Sequence, residues 1–508
     1  MSNSRILKNS AFLYLRLLIT LALGLFTTRI VINALGIDDY GIYGVVAGLI
    51  TMFGFMNAAM SSSTQRYLAF NLGLKKPIKL QQTFTTAVNI HLFIGMVTFI
   101  LAEGVGVWAV NYLLDIPKER LSAANIVFQF SLITFFFGIV QVPYHAATIA
   151  YERMSAYAYI SIADAVLKLI AAYLLMTAPF DRLVFYSQLL AFISIFSFIA
   201  YFIYVQVQFK EIKYIKYFDR EYYKEILSFS GWNLFGNIAA VARGQGVNIL
   251  INIFFGVALN AAYAVAMMLQ GVLTQFAASL QQAINPQIIK SYAQGKLERT
   301  ECLMHLSSKF SFFVMLIFIT PLYLNLDYIL NLWLGMVPDY ASLFISYLFV
   351  LVLIEVLSNS LMIGMQSTGK VKAYQMVVGF LVFLNFPIVY LVYMIYLKVE
   401  LAFFVLIGMS IISLYARLVF VKCYLSFSII RFHKRVIFRI LPPVFFIAIM
   451  IFFDVNHSLK TGFMKVFLDT ILFSLMTIFV IYLLGLNVRE RTYLNRIIVK
   501  KLEFAKGS

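Results

Sequence analysis

The stretch LLAFISIFSFIAYFIY (Leu189–Tyr204) holds no charged residue, and five residues later comes KEIKYIKYFDREYYK (Lys210–Lys224). A strand that crosses lipid alternates apolar and polar side chains, whereas this run is solid, so it reads as a helix. A hydrocarbon core of about 30 Å needs about 20 such residues. The basic block behind it marks the cytoplasmic side.

The pattern recurs along the whole chain. Fourteen segments read as membrane helices: 9–35, 42–73, 81–112, 121–149, 156–178, 183–209, 226–255, 263–292, 303–325, 341–367, 374–397, 400–423, 438–454 and 464–486. Of the 40 Lys and Arg residues, 27 fall at the N-terminus, in the tail, in the even-numbered links or (Lys290, Lys422 and Arg439) at the helix ends that meet those links, against 5 in the odd-numbered links. That bias places both termini in the cytoplasm and requires an even number of crossings. Only 12% of the 508 residues are charged and 62% are hydrophobic, where a soluble chain carries about 25% charged residues.

The formal net charge of +18 belongs to loops that face anionic headgroups. Nucleic acid is excluded as a partner, because no soluble domain is left to hold a duplex. MSNSRILKNS opens into an apolar segment too long for a signal-peptide core, so a retained first helix is expected. Cys302 and Cys423 lie far apart in sequence and indicate neither a disulfide nor a metal site. The longest external link, Asn325–Tyr340, reads as a short amphipathic segment with Trp333 at headgroup level.

Sliding the chain against itself by 220 residues aligns Ile6 with Ile226, Ser10 with Ser230, Gly24 with Gly244, Gly36 with Gly256, Tyr43 with Tyr263 and Lys76 with Lys296. The repeat unit is about six helices, an even number, so both copies enter the membrane in the same orientation. The expected organisation is an N-terminal lobe (1–209), a basic connector (210–225), a C-terminal lobe (226–424), a basic link (425–437), two further helices (438–486) and a basic tail (487–508). The connector has a plain alternative to any regulatory role, a surface helix lying on anionic lipid.

On FTTRIVINALGIDDYGIYGVV (Phe26–Val46), SSSTQRYLAFNLG (Ser61–Gly73) and NPQIIKSYAQG (Asn285–Gly295), the chain resembles the Wzx-type flippases of the polysaccharide transporter family. Those share a superfamily with the multidrug and toxic compound extruders and the lipid II flippases. The resemblance implies an all-α integral membrane protein in which two six-helix lobes form a V around a central cavity. The implied cargo is an undecaprenyl-diphosphate-linked oligosaccharide, carried by alternating access from the cytoplasmic to the outer leaflet of the inner membrane. The setting it implies is surface polysaccharide biosynthesis, such as the O-antigen of lipopolysaccharide. Implied partners are membrane lipids and other polysaccharide assembly proteins. No cofactor is implied beyond an H+ or Na+ gradient that could drive transport.

Ionisable groups inside a membrane face a cavity or a partner. The basic ones include Arg16, Arg29, Arg66, Lys168 and Arg243; the acidic ones are Glu103, Asp164 and Glu355. The basic excess suits a diphosphate, which the planar donor fork of arginine fits. Arg243 lies about 25 Å along its helix, too deep to snorkel easily, and is expected to line the cavity rather than sit in a buried ion pair. Arg16 is the corresponding candidate in the first lobe, with snorkelling to the interface as its alternative. Arg29 and Arg66 join the candidate substrate-binding set, although snorkelling or a gate contact suits their positions near the helix ends.

Asp164 and Lys168 stand four apart and read as an ion pair on one helix face, or as a polar patch on the cavity. For Glu355 two roles stay open: ion coupling, or pairing with a cavity arginine. His91 and His145 read first as hydrogen-bonded structure. Pro286 is expected to kink or hinge its helix. No catalytic or metal-binding spacing is present. The alternative function is a cation-coupled multidrug exporter, which would want an acidic aromatic pocket. A membrane glycosyltransferase or polymerase is less favoured, because the external links are too short to carry its catalytic groups.

Overall fold

The structure is a computed structural model that describes residues 3–51, 54–114, 116–178, 180–455, 462–488, 490–492 and 495. No strand occurs among them. The first helices are α1 (Asn3–Leu35), α2 (Ile37–Thr51), α3 (Gly54–Gly73), α4 (Pro77–Trp108), α5 (Leu121–Val140), α6 (Val142–Ala150), α7 (Met154–Leu174) and α8 (Arg182–Gln208). Then follow α9 (Arg220–Ala293), α10 (Leu297–Leu324), α11 (Leu326–Leu334), α12 (Ala341–Thr368), α13 (Lys372–Phe383) and α14 (Asn385–Tyr396). The chain continues with α15 (Leu401–Leu425), α16 (Ile429–Phe432), α17 (Phe438–Val455) and α18 (Phe463–Val480).

Twelve helices among the described residues are long and apolar enough to cross a membrane. Fourteen, the number expected, is not reached by that measure. α2 is only 15 residues long, and the seventh and eighth segments run together as the 74-residue α9. That helix consists of two arms, because Gly256 (φ 82, ψ −177) leaves helical geometry inside it. The basic tail from 487 lies outside the described residues except at 487, 488, 490–492 and 495.

Amphipathicity here is inverted relative to a soluble helix. On α8 the large residues Phe192, Phe196, Ile199 and Ile203 are exposed at the spacing of one helical face. Ser197 and Tyr201 of the same helix are buried. A lipid environment solvates the apolar face and leaves the polar one to be satisfied by protein.

The chain packs as two compact units. One comprises Met1–Ala240, Gln282–Thr300 and Ile363–Phe380; the other comprises Val241–Gln281, Glu301–Met362 and Leu381–Ser508. These units cut across the sequence boundaries at 209 and 226, since α9, α10, α12 and α13 lend segments to the first. Within the first unit α1 packs along α7 and α5 along α8. The core of the second gathers around Tyr263, Phe344, Tyr393 and Phe403.

The 220-residue repeat reappears in the backbone. Gly36 and Gly256 take left-handed φ values of 81° and 82°, a conformation that glycine reaches without strain. In one copy Leu74 N–H donates to Phe70 O, Lys75 N–H to Leu72 O and Lys76 N–H to Asn71 O. In the other, Gln294 N–H donates to Lys290 O, Gly295 N–H to Tyr292 O and Lys296 N–H to Ser291 O. These are the bonds that close a helix C-terminus around one left-handed residue, here Lys75 (φ 55) and Gly295 (φ 71).

Two expectations need correction. The connector is not a surface helix: residues 210–219 are non-helical, and Ile212 is buried. Ile215 N–H donates to Thr85 Oγ1 and Tyr214 Oη to Asn89 Oδ1, at 3.1 and 3.0 Å. Those bonds tie the connector to α4. Helix resumes only where Asp219 caps the N–H groups of Glu221 and Tyr222. Nor does α9 break at Pro286, where its dihedrals stay helical; a proline forfeits one bond, but its fixed φ suits a helix. A proline that does stand at a break is Pro143, in the first turn of α6 just after the turn at Gln141 that separates α5 from α6.

The turn after α6 repeats the same closure with Glu152 (φ 60) at the left-handed position. Glu152 is buried and accepts from Lys290 Nζ at 2.6 Å and Gln287 Nε2 at 2.5 Å. Lys75 is exposed and has no such contact. Lys75→Gly should therefore raise stability by about 1 kcal/mol, because it relieves left-handed strain. Glu152→Gly relieves the same strain but removes a buried ion pair, and should lower stability by about 2 kcal/mol net. Thermal unfolding of the purified variants checks both signs.

Candidate functional site

A cavity of about 1050 Å³ lies within the first unit, lined by α1, α2, α3, α5, α6, α7 and α8. Each principal wall is a polar stripe at helical spacing. α1 presents Arg16, Thr20, Thr27 and Thr28; α7 presents Tyr157, Ser161, Asp164 and Lys168; α8 presents Tyr186, Ser194, Ser197 and Tyr201. Across the break at Gln141, α5 and α6 present Thr134, Gln141 and His145, and α3 contributes Asn57 and Ser61.

Arg16 donates from Nη1 to Tyr157 Oη at 2.9 Å and lies over the Tyr157 ring at 4.7 Å. Its buried Nε has no hydrogen-bond partner. Asp164 and Lys168 pair at 2.8 Å, and Asp164 also accepts from Ser197 Oγ at 2.8 Å. Both readings of this pair are therefore realised at once: the two groups neutralise each other and face the cavity. Among the described lining residues, Arg16 is then the one ionised group without an opposite charge. His145 stands between the rings of Tyr157 and Tyr201, with centroids at 4.8 and 5.8 Å. The chamber is thus walled by hydroxyls, amides and phenols around a single guanidinium without a counter-charge.

The other residues picked from the sequence lie elsewhere. Arg243, expected on the cavity, pairs with Glu355 at 2.5 Å inside the second unit; α12 supplies the carboxylate 112 residues away. Its charge is thereby met, and neither residue lines the chamber. Arg66 also fails to line it. It is buried and donates Nε to Gln366 O and Nη2 to Ser367 O, both at 3.2 Å. There it caps the last carbonyls of α12, where a cation opposes the negative end of the helix dipole. The rings of Tyr67 and Phe70 lie 4.4 and 4.7 Å from its guanidinium carbon.

Arg29 is exposed, and the chamber is lined by its neighbours Thr27 and Thr28 instead. Glu103 accepts from Gln129 Nε2 at 2.9 Å. His91 is buried and bonds Ala87 O at 2.7 Å through Nδ1, a structural role. Pro286 lines a second, smaller cavity described below.

Elsewhere in the first unit, Arg120 ties the first turn of α2 to the N-cap of α8. Its Nε donates to Asp39 Oδ1 at 2.9 Å, and its Nη1 pairs with Asp181 Oδ2 at 2.5 Å. Burial raises the Asp181 pKa, but the Arg120 donors and the N–H groups of Val184 and Leu183 outweigh it and hold the carboxyl below its usual range. The contribution of this clamp is thus present above the ordinary carboxylate pKa and is lost only as pH falls through the lowered folded value.

Sequence reasoning offered Arg16, Asp164 and Lys168 as cavity candidates; it read His145 as hydrogen-bonded structure and did not name Gln141, Asn57 or Tyr157. The signal for Tyr157 was available: Tyr157, Ser161, Asp164 and Lys168 follow a strict three-to-four spacing in an otherwise apolar helix.

No protein-family model matches the chain, and no curated protein does. Solved structures do match. One is a multidrug resistance MATE family transporter of the MOP superfamily in its outward-facing conformation, at TM-score 0.70 and 13% identity, covering 84% of this chain and 98% of that one. Another is a MOP superfamily transporter from Pyrococcus furiosus with a binding pocket of reverse polarity that suggests a different function. It matches at TM-score 0.67 and 14% identity, over 84% of this chain and 98% of that one. A MATE transporter in the bent conformation matches at TM-score 0.67 and 15% identity, over 83% and 95%. The chain therefore shares the fold of these solved transporter structures.

The Arg243–Glu355 pair yields a direct test. Arg243→Ala leaves a mostly buried carboxylate without its partner and should cost about 3 kcal/mol of stability. Adding Glu355→Ala should return part of that loss, for a coupling energy of about 1–3 kcal/mol. A double-mutant cycle on thermal unfolding in detergent measures it.

Proposed function

We propose that this chain is a flippase that moves an undecaprenyl-diphosphate-linked oligosaccharide from the cytoplasmic to the outer leaflet by alternating access, for surface polysaccharide biosynthesis. The observation that carries this reading is the guanidinium of Arg16, buried at Nε without a partner and not neutralised by any carboxylate of the chamber. An unmatched cation on a cavity wall selects an anion of complementary geometry. A diphosphate offers one.

The transporter fold and the basic links support placement in the inner membrane with both termini cytoplasmic. In this reading lobes 1–209 and 226–424 are the moving halves and helices 438–486 an accessory pair. Glu355 and the Asp164–Lys168 pair are the groups through which an H+ or Na+ gradient would act.

A second reading has support from one observation. Structural neighbours include a multidrug resistance transporter, and the chamber holds Asp164 with four tyrosines, Tyr43, Tyr157, Tyr186 and Tyr201. A cationic drug, however, would need a free carboxylate, and Asp164 already serves Lys168 and Ser197. The anion reading is the stronger.

The test is a flipping assay in proteoliposomes with a fluorescent undecaprenyl-diphosphate glycan. Arg16→Ala should slow flipping about tenfold or more, since a hydrogen bond to a charged group contributes about 1.5–3 kcal/mol, while Arg16→Lys should retain part of the rate. An unchanged rate in Arg16→Ala, or efflux of cationic dyes that outpaces glycan flipping, defeats the proposal.

A further inference from the structure

Next to the chamber lies an annex of about 250 Å³. The two share Ala58 and Ser61 as lining residues. The annex contains no charged side chain; its polar lining is Ser61, Ser62, Gln65, Asn285 and Gln366. Several of these already bond one another: Gln65 Nε2 donates to Ser61 Oγ at 3.0 Å, and Ser62 Oγ donates to Gln366 Oε1 at 3.2 Å. Asn285 Oδ1, by contrast, is buried without a donor. So are Asn57 Oδ1 and Gln141 Oε1 on the neighbouring chamber wall.

All three unfilled groups are acceptors. A buried acceptor without a donor is costly, and the oxygens of a diphosphate, acceptors themselves, cannot fill it. Only a donor can. Arg16 Nε poses the opposite demand, a donor in want of an acceptor. One ligand meets both demands if an anionic group and a hydroxyl-bearing group lie side by side in it.

We propose that the annex is a glycan subsite: it takes a neutral, hydroxyl-rich ring of the cargo, whose hydroxyls donate to Asn285 Oδ1 and to the facing chamber amides, while the adjacent anionic group lies at Arg16. This inference rests on the anion reading of the chamber and adds its specificity. A cavity of 250 Å³ has room for one sugar ring but not for a long oligosaccharide. The annex therefore reads the sugar attached to the diphosphate. A site that hydrogen-bonds a hydroxyl discriminates strongly against a ligand that lacks it.

The experiment uses the purified full chain and two probes, farnesyl diphosphate and farnesyl-diphospho-N-acetylglucosamine, with affinities read by calorimetry. The wild type should bind the sugar-bearing probe about tenfold more tightly, the equivalent of one well-placed hydrogen bond. Asn285→Leu should abolish that preference and leave the affinity for farnesyl diphosphate unchanged, whereas Arg16→Ala should weaken both probes alike. Should Asn285→Leu fail to fold, Ser62→Cys, at a position that lines the annex and not the chamber, in a Cys302→Ser/Cys423→Ser background supplies the second measurement. The sugar-bearing probe should slow alkylation at position 62, and farnesyl diphosphate should not.

Equal affinities of the wild type for the two probes, or equal protection by both, overturn the annex assignment while an Arg16 effect leaves the anion reading standing. If neither probe binds the wild type, or if Arg16→Ala changes neither affinity, the anion reading itself falls and takes the subsite with it.

Discussion

Hydrocarbon cannot hydrogen-bond, and that constraint organises this molecule. Every backbone group within the membrane needs a partner in the protein, so helices run long and depart from helical geometry at few places. Every polar side chain needs another polar group or a cavity to face. Polar stripes on α1, α3, α5–α6, α7 and α8 all turn toward one space, and the chamber is where they meet. The outward faces carry phenylalanine, isoleucine and leucine, which lipid accepts without penalty. In this sense the chamber is not an addition to the fold but the place where the cost of burying polar groups is held down.

The same constraint sorts the arginines. Each intramembrane arginine must find donors' partners, counter-charge or solvent, and the four candidates do so differently. Arg243 takes a carboxylate, Arg66 takes helix-end carbonyls and aromatic faces, and Arg29 stays exposed. Arg16 takes only a phenol, and so keeps its charge available. Composition reveals that arginines are present in the membrane; it does not reveal which of them is spent. The partners stand 112 residues away for Arg243, 300 and 301 for Arg66, and 141 for Arg16. No local spacing encodes such separations. The Asp164–Lys168 pair was legible because its members are one turn apart.

Helices and their polar faces were likewise legible, because hydropathy and spacing are local properties. The breaks were harder to read. A proline inside an apolar run suggests a kink, yet Pro286 leaves its helix intact while Pro143 sits at a break. Whether a proline bends a helix depends on what replaces the lost bond and on how neighbouring helices pack, and both are tertiary facts. Gly256 could be singled out only through its alignment with Gly36. The shared left-handed geometry explains why glycine stands at both positions.

That repeat clarifies where chemistry enters the molecule. Shifted by 220 residues, the scaffold matches down to individual turn hydrogen bonds. The polar lining does not match. Arg16 corresponds to Gly236, Thr20 to Ala240 and Asn57 to Ala277, and Arg243 in turn corresponds to Leu23. At position 236 a Cβ would sit 2.4 Å from Gln375 Oε1, so any side chain there would displace that amide. The two copies thus agree in backbone geometry, even where the residue differs as at Lys75 and Gly295, and diverge in the polar groups they place. One copy holds a guanidinium open to a cavity, the other closes its guanidinium on a carboxylate. A symmetric pair of binding sites is therefore not what the duplication builds. It builds a twofold scaffold in which the chamber of the first unit, with its unmatched cation and its unfilled acceptors, has no counterpart at the repeated positions.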